Sequence, residues 1–197
     1  MISDQKIVEG CKAGKHKAFS MLYKKYSAVM LGLCLRYCKN LQEAEDVLQE
    51  GFIKVFRNIK KFREEGSFEG WIKRIMINCA IDHYQKNLKH AFHENLDELN
   101  EKIADDEEVA GKYRDHGVDK DQLMKMIQDL PDGYRIVFNM YVIEEYSHRD
   151  IATSLGISEN TSKTQLMKAR RALREKLKKV VETELIKYTN EKARKSN

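Results

Sequence analysis

A run of basic, amide and hydroxyl side chains near the carboxyl terminus has the chemistry of a DNA-reading surface. Leu166, Ala169 and Leu173 recur at three- and four-residue spacing, which predicts the buried stripe of an amphipathic helix. The other faces of that helix carry groups that can bond to base edges and phosphate oxygens. These candidate DNA-binding residues are Lys163, Thr164, Gln165, Met167, Lys168, Arg170 and Arg171.

A shorter predicted helix precedes this one and must position it. Ser147 is a good N-cap, and Asp150 follows at the capping-box position. Gly156 suits the left-handed residue that ends a helix, and Ser158 can cap the next helix at once. The apolar face of the short helix consists of Ile151, Ala152 and Leu155. The spacing predicts a helix-turn-helix, a motif that reads DNA in some proteins and is plain scaffold in others.

A second candidate surface follows Asn40, which can cap a helix whose inward face contains Val47, Phe52 and Val55. The outer face is acidic in its first half and basic in its second. The helix macrodipole favours acids near the N-terminus, but it does not account for polar residues two turns into the helix. The acidic residues and the glutamine beside them are Glu43, Glu45, Asp46, Gln49 and Glu50. They indicate a docking face for another protein.

A third candidate surface lies between positions 62 and 86. Gly66 and Ser67 predict the start of a helix that buries Trp71, Ile72 and Met76. Basic and amide groups share the opposite side of that helix, next to a loop that carries two phenylalanines. Such groups can follow a nucleic-acid backbone and hold unstacked bases, although the aromatic rings are also natural core residues. The residues of this surface are Phe62, Phe68, Arg74, Asn78, Asp82, Gln85 and Lys86.

Charge divides the chain into three blocks. Residues 1–93 carry 17 Lys and Arg against 10 Asp and Glu, and residues 134–197 carry 14 against 8. Between them, residues 94–133 carry 5 against 13. Two basic blocks on either side of an acidic one predict two domains that face nucleic acid, joined by a segment that nucleic acid repels. A plain solubilising tether would have the same composition.

Composition narrows the class of protein further. One proline, ten glycines and the absence of alternating β-branched runs predict an all-α chain. We expect a cytoplasmic protein, because no apolar run approaches the roughly 20 residues that span a bilayer and the N-terminus does not resemble a signal peptide. The four cysteines are expected to be buried and unpaired, with no metal site and no cofactor. No phosphate loop or catalytic set appears, so an enzyme is not expected.

The combination of motifs resembles a known family, the extracytoplasmic-function (ECF) sigma factors of bacterial RNA polymerase, within the sigma-70 family. Residues 43–56, EAEDVLQEGFIKVF, are similar to the signature helix of sigma domain 2. Residues 62–86 resemble the adjoining promoter-melting region, and residues 130–173 resemble sigma domain 4. The resemblance implies sigma domain 2 over residues 1–93, an acidic linker over 94–118, sigma domain 4 over 119–180 and a basic tail over 181–197.

The resemblance also implies partners and site residues. Core RNA polymerase would be bound through the clamp helices of its largest subunit and the flap of its second subunit. The acidic linker would thread the positively charged channels of the polymerase. Family members are usually held inactive by an anti-sigma factor, often membrane-bound. The polymerase-binding residues would be Glu45, Asp46, Gln49, Glu50 and Phe52.

Promoter contacts follow from the same resemblance. Domain 2 would bind the minus-10 element, as duplex and then as a single strand, with one base captured outside the stack. Its residues would be Phe62, Ser67, Phe68, Arg74, Asn78, Asp82 and Lys86. Domain 4 would read the minus-35 element with bases facing Lys163, Thr164, Met167 and Lys168, and with phosphates nearer Gln165, Arg170 and Arg171.

This chain departs from the family's commoner pattern at two places. The family more often has Val, Lys, Ser and Arg where this chain has Ser162, Lys163, Thr164 and Gln165. Arginine is also frequent in the family where this chain has Gln85. The promoter sequence therefore cannot be transferred from better-known members.

Other classes of protein remain open on sequence alone. A conventional helix-turn-helix regulator would place a helical sensor domain before the DNA-binding motif. A helical adaptor would bind another protein through its acidic helix, but this alternative does not explain the two basic blocks. Tight binding of the free chain to duplex DNA would favour the regulator over the sigma factor.

Overall fold

The computed structural model describes residues 3–91 and 119–195. The predicted acidic linker, residues 94–118, lies outside these ranges. Within them the chain forms α-helices with short 3₁₀ and π turns and no strand, so the all-α prediction is confirmed. None of the described helices is both long and apolar enough to cross a bilayer.

In the part of the chain that the structure describes, eight α-helices follow one another. The first domain contains α1 (Asp4–Lys12), α2 (His16–Tyr37), α3 (Leu41–Asn58), a 3₁₀ turn (Ile59–Lys61) and α4 (Phe68–Ala91). The second contains α5 (Lys120–Gln128), α6 (Asp132–Phe138) with a π turn (Asn139–Ile143), α7 (His148–Leu155) and α8 (Glu159–Lys195). Residues 181–195 of the predicted tail continue α8, which runs to Lys195.

The first domain is built around α2, which packs against α1, α3 and α4. Leu22, Met30 and Leu33 of α2 are fully buried, as are Ile72 and Met76 of α4. The close approach of α3 to α4 depends on Gly51, since a Cβ there would overlap the Sδ of Met76. Local capping agrees with the sequence: the Asn40 side chain accepts from the backbone N–H of Glu43 at 2.9 Å.

The second domain contributes to the same core. Ile136, Val137, Met140 and Ile151 are buried in one apolar cluster with the side chains of α2, α3 and α4. A smaller cluster joins α5 to α8. The sequence predicted two domains but gave no orientation for them, and in this structure they are packed directly together.

Candidate nucleic-acid and protein interfaces

The helix-turn-helix forms as its capping residues predict. Ser147 Oγ accepts from the Asp150 backbone N–H at 3.1 Å, and its own hydroxyl donates to the Asp150 carboxylate at 2.6 Å. Gly156 ends α7 at φ +68°, and the Ile157 N–H returns to the Ala152 carbonyl at 3.1 Å. This six-to-one bond is the Schellman closure that a left-handed glycine allows.

The outward face of α8 carries several of the predicted DNA-binding residues. Ser162, Leu166, Ala169 and Leu173 are buried, which fixes the rotation of the helix. The side chains that lie in solvent are Lys163, Thr164, Arg170 and Arg171. Met167 and Lys168 are half-buried at the border of this face. These six residues are therefore within reach of one ligand surface.

Gln165 lies on the inner side of α8 and differs from the expectation that it faces phosphates. Its Oε1 is buried without a hydrogen-bond partner. Its Nε2 stands 3.0 Å from the position that a Cβ on Gly133 of α6 would occupy. Gln165 therefore contacts α6. Successive residues of an α-helix point in different directions, so Gln165 faces inward although the preceding residue, Thr164, is exposed.

The sequence does not predict a polar and aromatic cluster that lies between α7 and α8. The ring of His148 stacks on Tyr141 with centroids 4.4 Å apart, and its Nδ1 lies 2.9 Å from the Oγ of the fully buried Ser162. The Arg170 guanidinium also lies over the ring of Tyr141, with its Cζ 5.8 Å from the ring centroid. Burial, with Lys163 and Arg170 nearby, lowers the pKa of His148, so the ring is neutral at pH 7. The sequence does contain one sign of this cluster. Ser162 is a polar residue that lies four positions before Leu166, in line with the apolar stripe of the helix.

The acidic face of α3 is available to a partner. Glu45, Asp46 and Gln49 are exposed, and none has an ion pair or a side-chain hydrogen bond to a residue that the structure describes. Glu50 is half-buried and paired with Lys54 at 3.3 Å. Phe52 is buried, and its ring lies 4.8 Å from that of Tyr23. Phe52 is therefore a core residue that orients α3. Any contact with a partner protein must be made by its exposed neighbours on the helix.

Two exposed apolar residues extend this face. Leu41 is 53% exposed and Ile53 is 48% exposed. They lie at four-residue intervals from Glu45 and Gln49, so the stripe reads apolar, acid, amide, apolar along α3. Sequence periodicity identifies the buried face of α3 but does not single out the two apolar residues on its exposed face.

The predicted aromatic residues of the minus-10 surface pack on one another. The ring of Phe62 lies 5.1 Å from that of Phe68 and 5.4 Å from that of Trp71, and both phenylalanines are buried. They fix the loop that leads into α4. Ser67 is exposed at the start of the helix, where its Oγ accepts from the Gly70 N–H at 3.0 Å.

The polar side chains of α4 remain accessible. Arg74, Asn78 and Lys86 are exposed. Asp82 is half-buried, and its carboxylate accepts from Lys54 at 2.9 Å. Burial alone would lower the pKa of Lys54, but its bonds to Asp82 and Glu50 raise it, so the lysine stays charged. Lys54 thus offsets part of the charge of the Asp82 carboxylate, which shares this lysine with Glu50.

The cysteines fit the expectation of buried, unpaired thiols. Cys11, Cys34, Cys38 and Cys79 are free and buried. Burial raises the pKa of Cys34 and of Cys38 to about 12, so both thiols are protonated at neutral pH. Among residues 3–91 and 119–195, no group of three or more His, Cys, Asp or Glu side chains could hold a metal ion.

Comparison with known families assigns both domains. Residues 22–89 match sigma-70 region 2, and residues 120–173 match sigma-70, region 4. Together the two matches cover more than half of the chain and lie in the order found by sequence reasoning. They define a sigma factor of the sigma-70 class.

Curated relatives narrow the class. The chain is 32% identical over 185 residues to the ECF RNA polymerase sigma factor SigW of Bacillus subtilis, covering 88% of this chain and 96% of the relative. It is 29% identical over 176 residues to the RNA polymerase sigma-H factor of Pseudomonas aeruginosa, covering 86% and 91%. The chain belongs to the ECF sigma factors.

A solved structure supports the fold. The sigma factor RpoE, crystallised with the anti-sigma factor NepR from Bartonella quintana, aligns with a TM-score of 0.50 at 18% identity. The alignment covers 82% of this chain and 98% of that one.

Proposed function

We propose that this protein binds core RNA polymerase and directs it to promoters, with each predicted surface in a separate role. The observation that carries the proposal is the presence of regions 2 and 4 in one chain, each with accessible side chains of matching chemistry. The family acts by binding, and no catalytic step is assigned to this chain. We propose a cytoplasmic location, where the polymerase acts.

The exposed stripe of α3 is the proposed polymerase contact. Glu45, Asp46 and Gln49 supply acid and amide groups without competing partners, and Leu41 and Ile53 supply apolar area at either end. A core of apolar contact beside polar groups is the usual composition of a protein interface. Glu50 contributes charge at the border, whereas Phe52 holds the helix from beneath.

The loop before α4 and the polar face of α4 are the proposed minus-10 contact. Arg74, Asn78 and Lys86 would follow the backbone of the non-template strand, and the exposed loop ending at Ser67 would take an unstacked base. Phe62 and Phe68 hold this loop by packing. Unstacking a base costs a few kcal/mol, which the polymerase contacts must offset.

The exposed face of α8 is the proposed minus-35 contact. Lys163, Thr164, Met167 and Lys168 would meet base edges in the major groove, and Arg170 and Arg171 would meet phosphates. An anti-sigma protein is the expected negative regulator, and copurification with a membrane-associated partner would identify it.

Reconstituted transcription tests the proposal. The purified chain is added to core RNA polymerase with a promoter library, and start sites and DNA opening are mapped. We expect promoter-specific initiation that depends on the polymerase, with weak duplex binding by the chain alone. Tight, sequence-specific duplex binding without polymerase association would instead establish the alternative, a conventional helix-turn-helix regulator.

A further inference from the structure

The loop between the 3₁₀ turn and α4 is held at its two ends and exposed in between. Phe62 is buried at the start of the loop, and Phe68 is buried where α4 begins. Residues 63–67 are exposed. Ser67 caps α4, but no backbone hydrogen bond that the structure describes outside the helices involves residues 63–66. The middle of the loop therefore depends on side-chain contacts for its conformation.

Glu64, in the middle of this loop, has a left-handed backbone. Its φ is +63°, a region that L-residues with a Cβ rarely adopt because the Cβ comes close to the following carbonyl oxygen. Gly66 lies two residues on at φ +138°, where glycine meets no such restriction. A glutamate in the left-handed region persists only where the surrounding structure favours it. Glu64 therefore needs a contact that offsets this cost.

An ion pair with α1 provides this contact. Lys12 Nζ, on the last residue of α1, donates to Glu64 Oε1 at 3.0 Å. The same ammonium lies 6.0 Å from the centroid of the Phe62 ring, at the outer limit of a cation–π contact. In the described chain, neither Arg63 nor Glu65 makes a side-chain hydrogen bond or an ion pair. The Lys12–Glu64 pair thus connects the exposed part of the loop to another helix.

The helix that carries Lys12 is itself fixed to the first domain. Its inward residues are buried in the apolar core: Ile7, Val8 and Cys11. At its other end the Asp4 carboxylate accepts from the Tyr26 hydroxyl of α2 at 2.7 Å. The ring of Tyr26 in turn meets that of Phe68 edge-on, with centroids 5.7 Å apart. Lys12 therefore reaches the loop from a rigid element, which is what a positioning contact requires.

A cavity lies between α1 and the loop, and Glu64 borders it. Its volume is about 670 Å³, within the roughly 300–1,000 Å³ that is usual for sites of small ligands. Its walls come from α1 and from the loop, through Asp4, Gln5, Val8, Glu64, Gly66 and Ser67. A change of backbone conformation at Glu64 would therefore alter both this cavity and the loop surface to which the unstacked base is assigned.

We propose that Lys12 is a positioning residue for the loop that takes the unstacked base. Its ion pair with Glu64 holds the left-handed backbone at that residue, and so keeps the exposed loop in the conformation that receives the base. Lys12 acts through Glu64 and does not itself contact DNA. The inference rests on the proposed function for the base, whereas the conformation of the loop can be measured in the free chain.

The first experiment measures opening of the loop in the free, full-length protein. Chymotrypsin cuts after phenylalanine, and Phe62 is buried, so the rate of that cut reports how often the loop opens. Mass spectrometry follows the rate, which is divided by the rate for a peptide of residues 57–68 with the same change. We expect Lys12→Glu to raise it about two- to fivefold, the range for a partly exposed ion pair. The charge swap Lys12→Glu/Glu64→Lys should restore the wild-type rate.

The second experiment measures DNA opening by the same proteins bound to core polymerase. Permanganate, which oxidises unpaired thymines, probes a promoter recovered from the library. We expect Lys12→Glu to lower the opened fraction about two- to fivefold and the charge swap to restore it. Lys15→Glu is the matched control, because it makes the same change of charge at an exposed lysine three residues away. It should leave both the cut at Phe62 and DNA opening at the wild-type level.

A milder variant keeps the test decisive if Lys12→Glu does not fold. Lys12→Met removes the ion pair without adding repulsion and should change both readouts in the same direction. Wild-type behaviour of the folded Lys12 variants, an equal effect of Lys15→Glu, or a charge swap that does not restore the cut overturns the proposal. If the cuts respond as expected but no protein opens promoter DNA, wild type included, the proposed function fails and the role of Lys12 in holding the loop stands.

Discussion

His148 and the buried Ser162 form a polar pair that links α7 to α8, with Nδ1 and Oγ 2.9 Å apart. Ser162 has no exposed surface, and its hydroxyl has no other side-chain partner among the described residues. The family more often has valine at this position, which would need no partner. In this chain the hydrogen bond replaces apolar contact at the base of the recognition helix.

Removing one member of the pair should destabilise the second domain. His148→Ala leaves the Ser162 hydroxyl buried and unpaired, and we expect a loss of about 1–3 kcal/mol in the free energy of unfolding. Chemical denaturation followed by circular dichroism measures it. In the cycle with Ser162→Ala, the double variant should lose about 1 kcal/mol less than the sum of the singles. Strict additivity would show that the two side chains do not interact.

The same pair predicts a pH dependence. The pKa of His148 is lowered from 6.5 in the folded state by burial and by Lys163 and Arg170, with Glu159 opposing weakly. The unfolded chain therefore takes up the proton first, so stability is full above pH 6.5 and falls as pH drops from there through the folded pKa. His148→Asn keeps a hydrogen-bonding group but cannot titrate. Unfolding curves between pH 7.5 and 5 should decline less for the variant than for the wild type.

Local structure could be predicted from the sequence because its causes are local. The caps at Asn40, Ser147 and Gly156 depend on residues within six positions of each other, and all three formed as predicted. The hydrogen bonds from Arg135 and Asn139 to the carbonyls at the end of α2 could not be predicted in this way. Arg135 and Asn139 look like solvent-facing polar positions on a helix, and only the end of α2, about 100 residues earlier, makes them buried.

In the candidate surfaces, too, some features follow from local sequence and others depend on residues far along the chain. Exposure of Asp46, Gln49, Lys163 and Arg170 follows from the rotation that each helix's apolar stripe imposes. Burial of Phe68 follows from the same periodicity, whereas burial of Phe62, which lies outside the helix, depends on where Phe68 and Trp71 lie. The lowered pKa of His148 likewise depends on its burial and on Lys163 and Arg170 of the next helix, which its own position on α7 does not reveal.

The acidic face of α3 should be required for polymerase binding and dispensable for folding. Asp46→Ala/Gln49→Ala removes two exposed groups, and we expect binding to core polymerase to weaken by about 1–3 kcal/mol with an unchanged melting temperature. Fluorescence titration against core enzyme measures the affinity. Glu9→Ala, an exposed acid on α1, is the matched control and should leave affinity unchanged. Unfolding of the double variant would show that these residues serve the fold.

Lys168 should contribute to promoter choice. If its ammonium meets a base edge, Lys168→Ala weakens binding to the preferred minus-35 sequence by about 1–3 kcal/mol and relaxes selection at one position. Sequencing of transcripts from a randomised promoter library measures both effects. Lys178→Ala, an exposed lysine ten residues and about 15 Å further along α8, should leave the selected sequence intact. An identical selection profile for both variants would remove Lys168 from the reading surface.

Replacing Gly51 by alanine should destabilise the first domain, because the helices α3 and α4 meet there. A Cβ at this position overlaps the Sδ of the fully buried Met76, and we expect Gly51→Ala to cost about 1–3 kcal/mol of folding free energy. Gly32→Ala on α2 meets no atom within 4 Å and should instead stabilise by about 0.5–1 kcal/mol, since alanine loses less backbone entropy in a helix. Shortening the neighbour in Gly51→Ala/Met76→Val should recover part of the loss. Thermal unfolding of the four proteins measures these differences, and an equal shift for both glycine variants would mean that α3 and α4 are not in contact at Gly51.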